Sequence, residues 1–67
     1  MMTITINGET HSVEKGSYLL DVLARLEIDK NKVAVERNLE IVPRSTFDTV
    51  ALSDGDRIEI VHFIGGG

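Results

Sequence analysis

The architecture is determined mainly by RIEIVHF at residues 57–63, a run of alternating side chains close to the end of the 67-residue chain. Such alternation is typical of a half-buried β-strand. We expect Ile58 and Ile60 to face the core and Glu59 to face outward. The cluster SDGD at residues 53–56 predicts the turn before the strand. Glycines 65–67 follow, so the strand leads almost directly into a segment without side chains.

Two more strands are predicted at the start of the chain. Residues 2–6 read MTITI, and their alternation places Ile4 and Ile6 inward. The dipeptide Asn7-Gly8 readily takes the positive φ values of a tight hairpin turn. The return strand is therefore expected over residues 9–14, with Val13 facing inward.

An amphipathic helix is predicted from about Tyr18 to Glu27. Its apolar residues recur at helical spacing and form one stripe: Leu19, Val22, Leu23 and Leu26. Ser17 is the expected N-cap, since its hydroxyl can accept from a free N–H of the first turn. Asp21 is expected near the positive end of the helix, where the macrodipole favours a carboxylate.

The second half of the chain predicts three short strands. A loop over residues 29–32 leads to a third strand at residues 33–36, and a turn then leads to a fourth at residues 39–42. Pro43 ends that strand because proline cannot donate to a ladder. Residues 46–50 are compatible with one short helical turn, and the strand at residues 57–63 is the last element.

The element order ββαβββ predicts an α+β fold in which one main helix covers one face of a mixed sheet of four to five strands. This is the β-grasp, or ubiquitin-like, arrangement, with a right-handed crossover through the helix and the last strand in the middle of the sheet. We expect one domain over residues 1–64 and a flexible glycine tail over residues 65–67. The predicted core is Leu19, Leu23, Leu26, Val33, Val35, Ile58 and Ile60.

The composition excludes several classes of function. The chain has no cysteine, which rules out disulfides, thiol catalysis and cysteine-based metal sites. Its net charge is −4, with seven basic and eleven acidic residues and no basic stripe, so nucleic-acid binding is not expected. No apolar run is long enough to span a bilayer. A cytoplasmic protein, monomeric when alone, is the expectation.

Taken together, the motifs resemble those of the ThiS-type sulfur carrier proteins of thiamin biosynthesis. The similarity covers nearly the whole chain and lies in INGE at 6–9, LLDVL at 19–23, VAVER at 33–37, IVPR at 41–44, DGDRIEIV at 54–61 and the glycine tail. The specific part is the conjunction of Asp-Gly-Asp, a last strand and terminal glycines. The chain departs from the family in one respect, since three glycines stand where the family has a Gly-Gly pair.

This resemblance implies that the chain is a protein co-substrate and not an enzyme. The carboxylate of Gly67 would be adenylated by a ThiF-like enzyme and converted to a thiocarboxylate by a cysteine persulfide, while Gly65 and Gly66 thread into the partner's slot. If Gly67 were trimmed, the reactive end would be Gly66. A ThiG-like thiazole synthase would then accept the sulfur. The ATP and Mg²⁺ belong to the activating enzyme, and this chain is expected to bind no cofactor or metal.

Apolar residues next to the tail are candidates for partner docking. Val61, Phe63 and Ile64 would group near the functional end, and Val61 and Phe63 face away from Ile58 and Ile60. His62 could act as a base near the tail, but we interpret both His62 and His11 as structural residues.

Other functions share parts of this pattern. The small subunit of molybdopterin synthase would use the same fold and tail, and a protein-tagging role like that of ubiquitin-related modifiers is a further option. A non-covalent ubiquitin-like interaction module would use the sheet face and not the carboxylate. An autonomous enzyme is not expected, because no cluster of acid, base and nucleophile is readable.

Overall fold

The computed structural model describes residues 1–63 of the chain. Its elements follow the predicted order, with two additional 3₁₀ turns. They are β1 (Met2–Ile6), β2 (Glu9–Val13), α1 (Leu19–Arg25), a 3₁₀ turn (Lys30–Lys32), β3 (Val33–Arg37), β4 (Glu40–Ile41), a second 3₁₀ turn (Arg44–Thr46) and β5 (Arg57–His62). Most of the segment expected as a loop at residues 29–32 thus forms a 3₁₀ turn, and the helical turn expected at 46–50 begins two residues earlier and ends at Thr46.

The five strands form one mixed sheet in the order β2-β1-β5-β3-β4, which confirms the β-grasp arrangement with the last strand in the middle. β1 pairs antiparallel with β2 and parallel with β5, and β5 pairs antiparallel with β3. It follows that β2 and β3, the strands connected through α1, run in the same direction with β1 and β5 between them. The hairpin turn has the expected positive φ values at Asn7 (50°) and Gly8 (85°).

The helix begins without the predicted Ser17 cap. The Ser17 hydroxyl donates to the Glu14 carbonyl instead (2.7 Å). The free N–H groups of the first turn donate to a distant loop, Leu19 to the Val50 carbonyl (3.0 Å) and Leu20 to the Phe47 carbonyl (2.9 Å). Tertiary hydrogen bonds therefore take the place of a local cap.

Asp21 lies in the first turn as predicted, and its carboxylate accepts from the Tyr18 N–H (2.9 Å). The helix ends two residues earlier than expected, because Glu27 takes the left-handed conformation (φ 59°). The Glu27 N–H then donates to the Ala24 carbonyl (3.1 Å) and the Ile28 N–H to the Leu23 carbonyl (2.9 Å). This pair of bonds is a Schellman motif, which satisfies two of the last helical carbonyls.

The core lies between α1 and the inner face of the sheet. Its buried apolar residues come from every strand except β4, from the helix and from the long loop before β5: Met2, Ile4, Ile6, Val13, Leu19, Val22, Leu23, Val33, Val35, Val42, Phe47, Leu52, Ile58 and Ile60. The prediction was wrong for Leu26, which is 38% exposed because it follows the last helical residue. Phe47 and Leu52 belong to the core although their segment shows no helical or strand periodicity.

Candidate functional site

The candidate site is the end of β5 and the glycine segment that follows it. β5 is held on both sides by backbone pairing. On one side Thr5 and Ile6 of β1 pair with Arg57 and Ile58. On the other side β3 pairs along almost the whole length of β5, from Arg37 opposite Ile58 to Val33 opposite His62.

The β1 side of β5 is extended by one side chain. Asn7 follows the last residue of β1, and its N–H still donates to the Ile58 carbonyl (2.9 Å). Its side-chain oxygen then accepts from the Ile60 N–H (2.7 Å), and its NH₂ donates to the Ile60 carbonyl (3.1 Å). The amide thus pairs with both polar groups of one β5 residue, as a further strand residue would.

The start of β5 is anchored by a second asparagine. Asn38 has a positive φ of 51°. Its N–H donates to the Arg57 carbonyl (2.8 Å), and its side-chain oxygen accepts from the Arg57 N–H (2.9 Å). Its NH₂ reaches the Asp56 carboxylate (3.1 Å) and ties this turn to the residue before the strand.

Asp56 is the polar centre of that anchor. Its side chain is only 7% exposed and accepts from the Arg37 Nε (2.8 Å), the Ser53 N–H (2.8 Å) and the Asn38 amide. Burial by itself raises the pKa of this carboxyl, but the hydrogen bonds from Ser53, Asn38 and Arg37, with the guanidinium charge, outweigh it and hold the pKa below its ordinary value. Asp56 is therefore a buried carboxylate that stays ionised.

The predicted docking residues are exposed where the structure describes them. Val61 is 61% exposed and pairs with Ala34 of β3, and Phe63 is 54% exposed. The Phe63 N–H donates to the Lys32 carbonyl (2.9 Å), which continues the contact with β3 beyond the end of β5. Ile64 lies outside the described residues. The predicted tail, which consists of the threading and reactive glycines 65–67, lies outside them as well.

Arg44 contacts the same end of the sheet. Its guanidinium lies 5.9 Å from the centre of the Phe63 ring. The Nε donates to the Lys30 carbonyl (3.0 Å), and an NH₂ group lies 3.5 Å from the Val33 carbonyl. Arg44 therefore covers part of the β3 edge that the two-residue strand β4 leaves uncovered.

Some residues that sequence analysis considered lie elsewhere. His62 is exposed on β5, and His11 is partly buried on β2 with Glu9 3.9 Å away. The roles of Asn38 and Asp56 were not predicted from the sequence. Both lie in segments that the sequence identifies only as turns, and two donors to Asp56, Arg37 and Asn38, are distant from it in sequence.

Within residues 1–63, no group of three or more His, Asp or Glu side chains is arranged to hold a metal ion. The helices in this same part of the chain are too short and too polar to cross a membrane.

Comparison with known proteins places this geometry in a family. The ThiS family model matches residues 4–67, which includes the glycine segment. The chain is 40% identical to the sulfur carrier protein ThiS of Bacillus subtilis, with 96% of this chain and 98% of that protein covered. It is 52% identical over 66 residues to a thiazole synthase of Paramagnetospirillum magneticum, and it spans only a fifth (20%) of that protein's length.

The fold agrees with a solved structure of the same kind. The crystal structure of the thiamine biosynthesis protein ThiS from Geobacter metallireducens superposes with a TM-score of 0.84 at 33% identity, covering 98% of this chain and all (100%) of that one. The segment matched by the family model includes β5, which is central in the sheet, and the glycines that follow it. This chain belongs to the ThiS family.

Proposed function

We propose that this chain is a sulfur carrier of thiamin biosynthesis and that the sulfur is carried on the carboxylate of Gly67. The observation that supports this most directly is the family match, which runs through β5 and on to residue 67. A full-length relative named as a sulfur carrier protein supports the same role. In this proposal the chain is a co-substrate, and the catalytic groups belong to its partners.

The chemistry begins from an unreactive group. A carboxylate is ionised at pH 7 and is a poor electrophile. A ThiF-like enzyme that holds ATP and Mg²⁺ would let a Gly67 oxygen attack the α-phosphorus, and the bond from that phosphorus to pyrophosphate breaks. The resulting acyl adenylate has AMP as a leaving group.

The second stage replaces AMP by sulfur. The terminal sulfur of a partner's cysteine persulfide attacks the acyl carbon, and the bond to AMP breaks. A second thiol on the partner then attacks the remaining S–S bond, so that a disulfide forms and the thiocarboxylate leaves with both electrons of the broken bond. Adenylation followed by sulfur transfer thus replaces one difficult reaction by several steps with lower barriers.

The contribution of this chain is to present the acyl group. Three extended glycines reach roughly 10 Å, and they lack side chains that would obstruct a narrow slot. The strand that leads into them is central and paired on both sides. We propose that Val61 and Phe63, together with Ile64, contact the activating enzyme next to that slot, because exposed apolar groups near a functional end favour docking.

The proposed sulfur acceptor is a ThiG-like thiazole synthase. Two relatives named thiazole synthase, from Paramagnetospirillum magneticum and Magnetococcus marinus, contain a segment 52% and 50% identical to this chain within a polypeptide about five times as long. Placing a carrier and its acceptor on one polypeptide raises their effective concentration. This supports, for the present chain, delivery to the same class of enzyme.

The decisive experiment weighs the protein intact. The chain is incubated with a ThiF-like enzyme, ATP, Mg²⁺ and a persulfide donor, and we expect a mass gain equal to the difference between one sulfur and one oxygen atom. Fragmentation will place the gain on Gly67, or on Gly66 if the last residue has been removed. An unchanged mass, with an activating enzyme shown to be competent on another carrier, would refute the proposal.

Deleting Gly66 and Gly67 provides the matched control. Glycine has no side chain to bury, so the thermal unfolding midpoint should be retained while the mass change is lost. Transfer to a purified thiazole synthase, measured beside a molybdopterin synthase, then tests the acceptor. A chain that instead binds its partners equally well with and without the last two glycines would be a non-covalent interaction module.

A further inference from the structure

The side chain of Asn7 forms the last contact that β5 makes on its β1 side in the described structure. β1 reaches only as far as Arg57 and Ile58 by backbone pairing. The Asn7 amide then contacts Ile60 through two hydrogen bonds of 2.7 and 3.1 Å. The direction of the backbone N–H and C=O groups alternates from one residue to the next along a strand. His62 follows Ile60 by two residues, so its N–H and C=O point to this same side, beyond the end of β1.

This arrangement depends on the local backbone at Asn7. Its φ of 50° is left-handed, which turns the chain away toward β2 while the side chain stays beside β5. Asparagine and glycine both tolerate this conformation, whereas other side chains are strained there. Asn7→Gly therefore deletes both amide hydrogen bonds and leaves the turn intact.

We propose that Asn7 is a positioning residue for the carrier reaction, a role that rests on the proposed function. It fixes Ile60, four residues before Ile64, and so limits the directions in which the following glycine segment leaves the sheet. Without this contact, the end of β5 is held, within the described residues, on its β3 side alone, through the pairing of Val33 with His62 and the hydrogen bond from Phe63 to Lys32. A strand end that is held on one side only samples more directions. A smaller fraction of molecules then presents the glycine segment in line with an enzyme's slot.

The expected effect is on binding and not on chemistry. Once the segment is in the slot, the enzyme itself orients the carboxylate, so kcat should change by less than about twofold. The KM for the carrier in adenylation should rise about fivefold, the factor that corresponds to the net contribution of one hydrogen bond. A residue that acted only on global stability would leave both constants unchanged at temperatures where the protein is folded.

Asn38 provides a matched control, because it contacts the same strand, β5, from the turn that follows β3. It is also left-handed (φ 51°), and its side chain also binds one β5 residue, Arg57, but at the opposite end of the strand. Asn38→Gly additionally loses the hydrogen bond to Asp56. It should therefore reduce thermal stability at least as much as Asn7→Gly does.

The experiment measures pyrophosphate release by a ThiF-like enzyme against carrier concentration for wild type, Asn7→Gly, Asn38→Gly and Asn7→Asp. We expect a raised KM for Asn7→Gly and a wild-type KM for Asn38→Gly. Asn7→Asp keeps an acceptor for the Ile60 N–H but turns a second carboxylate oxygen toward the Ile60 carbonyl, so its KM should also be raised above that of wild type. Amide hydrogen exchange provides a second readout, in which Ile60 should exchange faster in Asn7→Gly and not in Asn38→Gly.

The outcomes separate the two levels of the proposal. Equal KM values for Asn7→Gly and Asn38→Gly, with wild type active, would overturn the positioning role alone. Unchanged exchange at Ile60 in Asn7→Gly would also overturn it, because the contact would then not hold the strand. If wild type releases no pyrophosphate with a competent enzyme, the proposed function fails, and the positioning role fails with it.

Discussion

The buried carboxylate of Asp56 allows the sharpest test of how the start of β5 is anchored. It accepts from Arg37, Ser53 and Asn38, and one of these donors is charged. Asp56→Asn preserves the size of the side chain and one acceptor oxygen. It removes the negative charge and replaces the other oxygen by an NH₂ donor, so at least one of the three donors faces a donor in either orientation.

The size of the effect follows from those contacts. Losing the charge assistance of the Arg37 bond and leaving one donor unpaired should together destabilise the fold by about 3 kcal/mol. For a domain of this length, that corresponds to a fall of roughly 12–24 °C in the unfolding midpoint. Because the Asp56 side chain is only 7% exposed, salt should screen little of this loss.

The same variant should change the pH dependence. The folded protein holds the pKa of Asp56 below its ordinary value of 3.8, so protonation favours the unfolded chain. The stabilisation by Asp56 is full above that ordinary value and is lost as the pH falls through the lower folded pKa. Asp56→Asn has no carboxyl at this position, so its stability should fall less than that of wild type on acidification below pH 3.8.

The assay is thermal and urea unfolding followed by circular dichroism, at neutral pH and through the acid range, in low and high salt. Asp48→Asn is the matched control, because Asp48 is exposed and the same chemical change there should alter stability by less than about 0.5 kcal/mol. Equal stabilities for the two variants, or parallel acid profiles for Asp56→Asn and wild type, would refute the account of Asp56 as an ionised anchor.

Three further predictions concern other parts of the fold. Glu27→Gly should raise stability by about 0.5–1 kcal/mol, because the left-handed C-cap (φ 59°) suits glycine; an unchanged or lower unfolding midpoint would contradict this. Phe47→Ala, at a side chain 2% exposed, should cost about 3–5 kcal/mol in urea unfolding, and a loss below about 1 kcal/mol would contradict its place in the core. Val61→Arg should weaken binding to the activating enzyme about tenfold in calorimetry, whereas Leu39→Arg, at another exposed residue, should not; equal affinities would exclude Val61 from docking.

The strands and their order along the chain could be predicted from sequence, because the signals for each strand are local. Ile4 and Ile6 alternate with threonines, and Ile58 and Ile60 alternate with charged residues. Each alternating set also identifies which side faces the core, and the burial of these four isoleucines agrees with it. The Asn7-Gly8 turn then sets the register of the first hairpin.

The ends of the helix could not be predicted in the same way, because residues distant in sequence determine them. The expected Ser17 cap is replaced by the carbonyls of Phe47 and Val50, which belong to a loop distant from the helix in sequence. Leu26 fits the apolar stripe, but the left-handed Glu27 ends the helix and leaves Leu26 partly exposed. Propensity alone does not identify a left-handed glutamate.

The candidate site was only partly visible in the sequence. The exposure of Val61 and Phe63, the proposed docking residues, follows from alternation, and both side chains are exposed in the structure. The side-chain contacts of Asn7 and Asn38 with the central strand, and that of Asp56 with Arg37 at the end of β3, do not follow from any spacing rule. Each joins a turn to a strand about twenty to fifty residues away in the chain, so they emerge only from the assembled sheet.

The double-sided pairing of β5 has a mechanical consequence. A partner that grips the glycines and pulls along the strand axis loads the hydrogen bonds to β1 and β3 in shear, so that many must yield together. Peeling, in which bonds break one at a time, is avoided as far as Ile60, because up to that residue both flanks of the strand are hydrogen-bonded. A pulling force at this end, which the proposed transfer between enzymes would apply, should therefore leave the sheet intact.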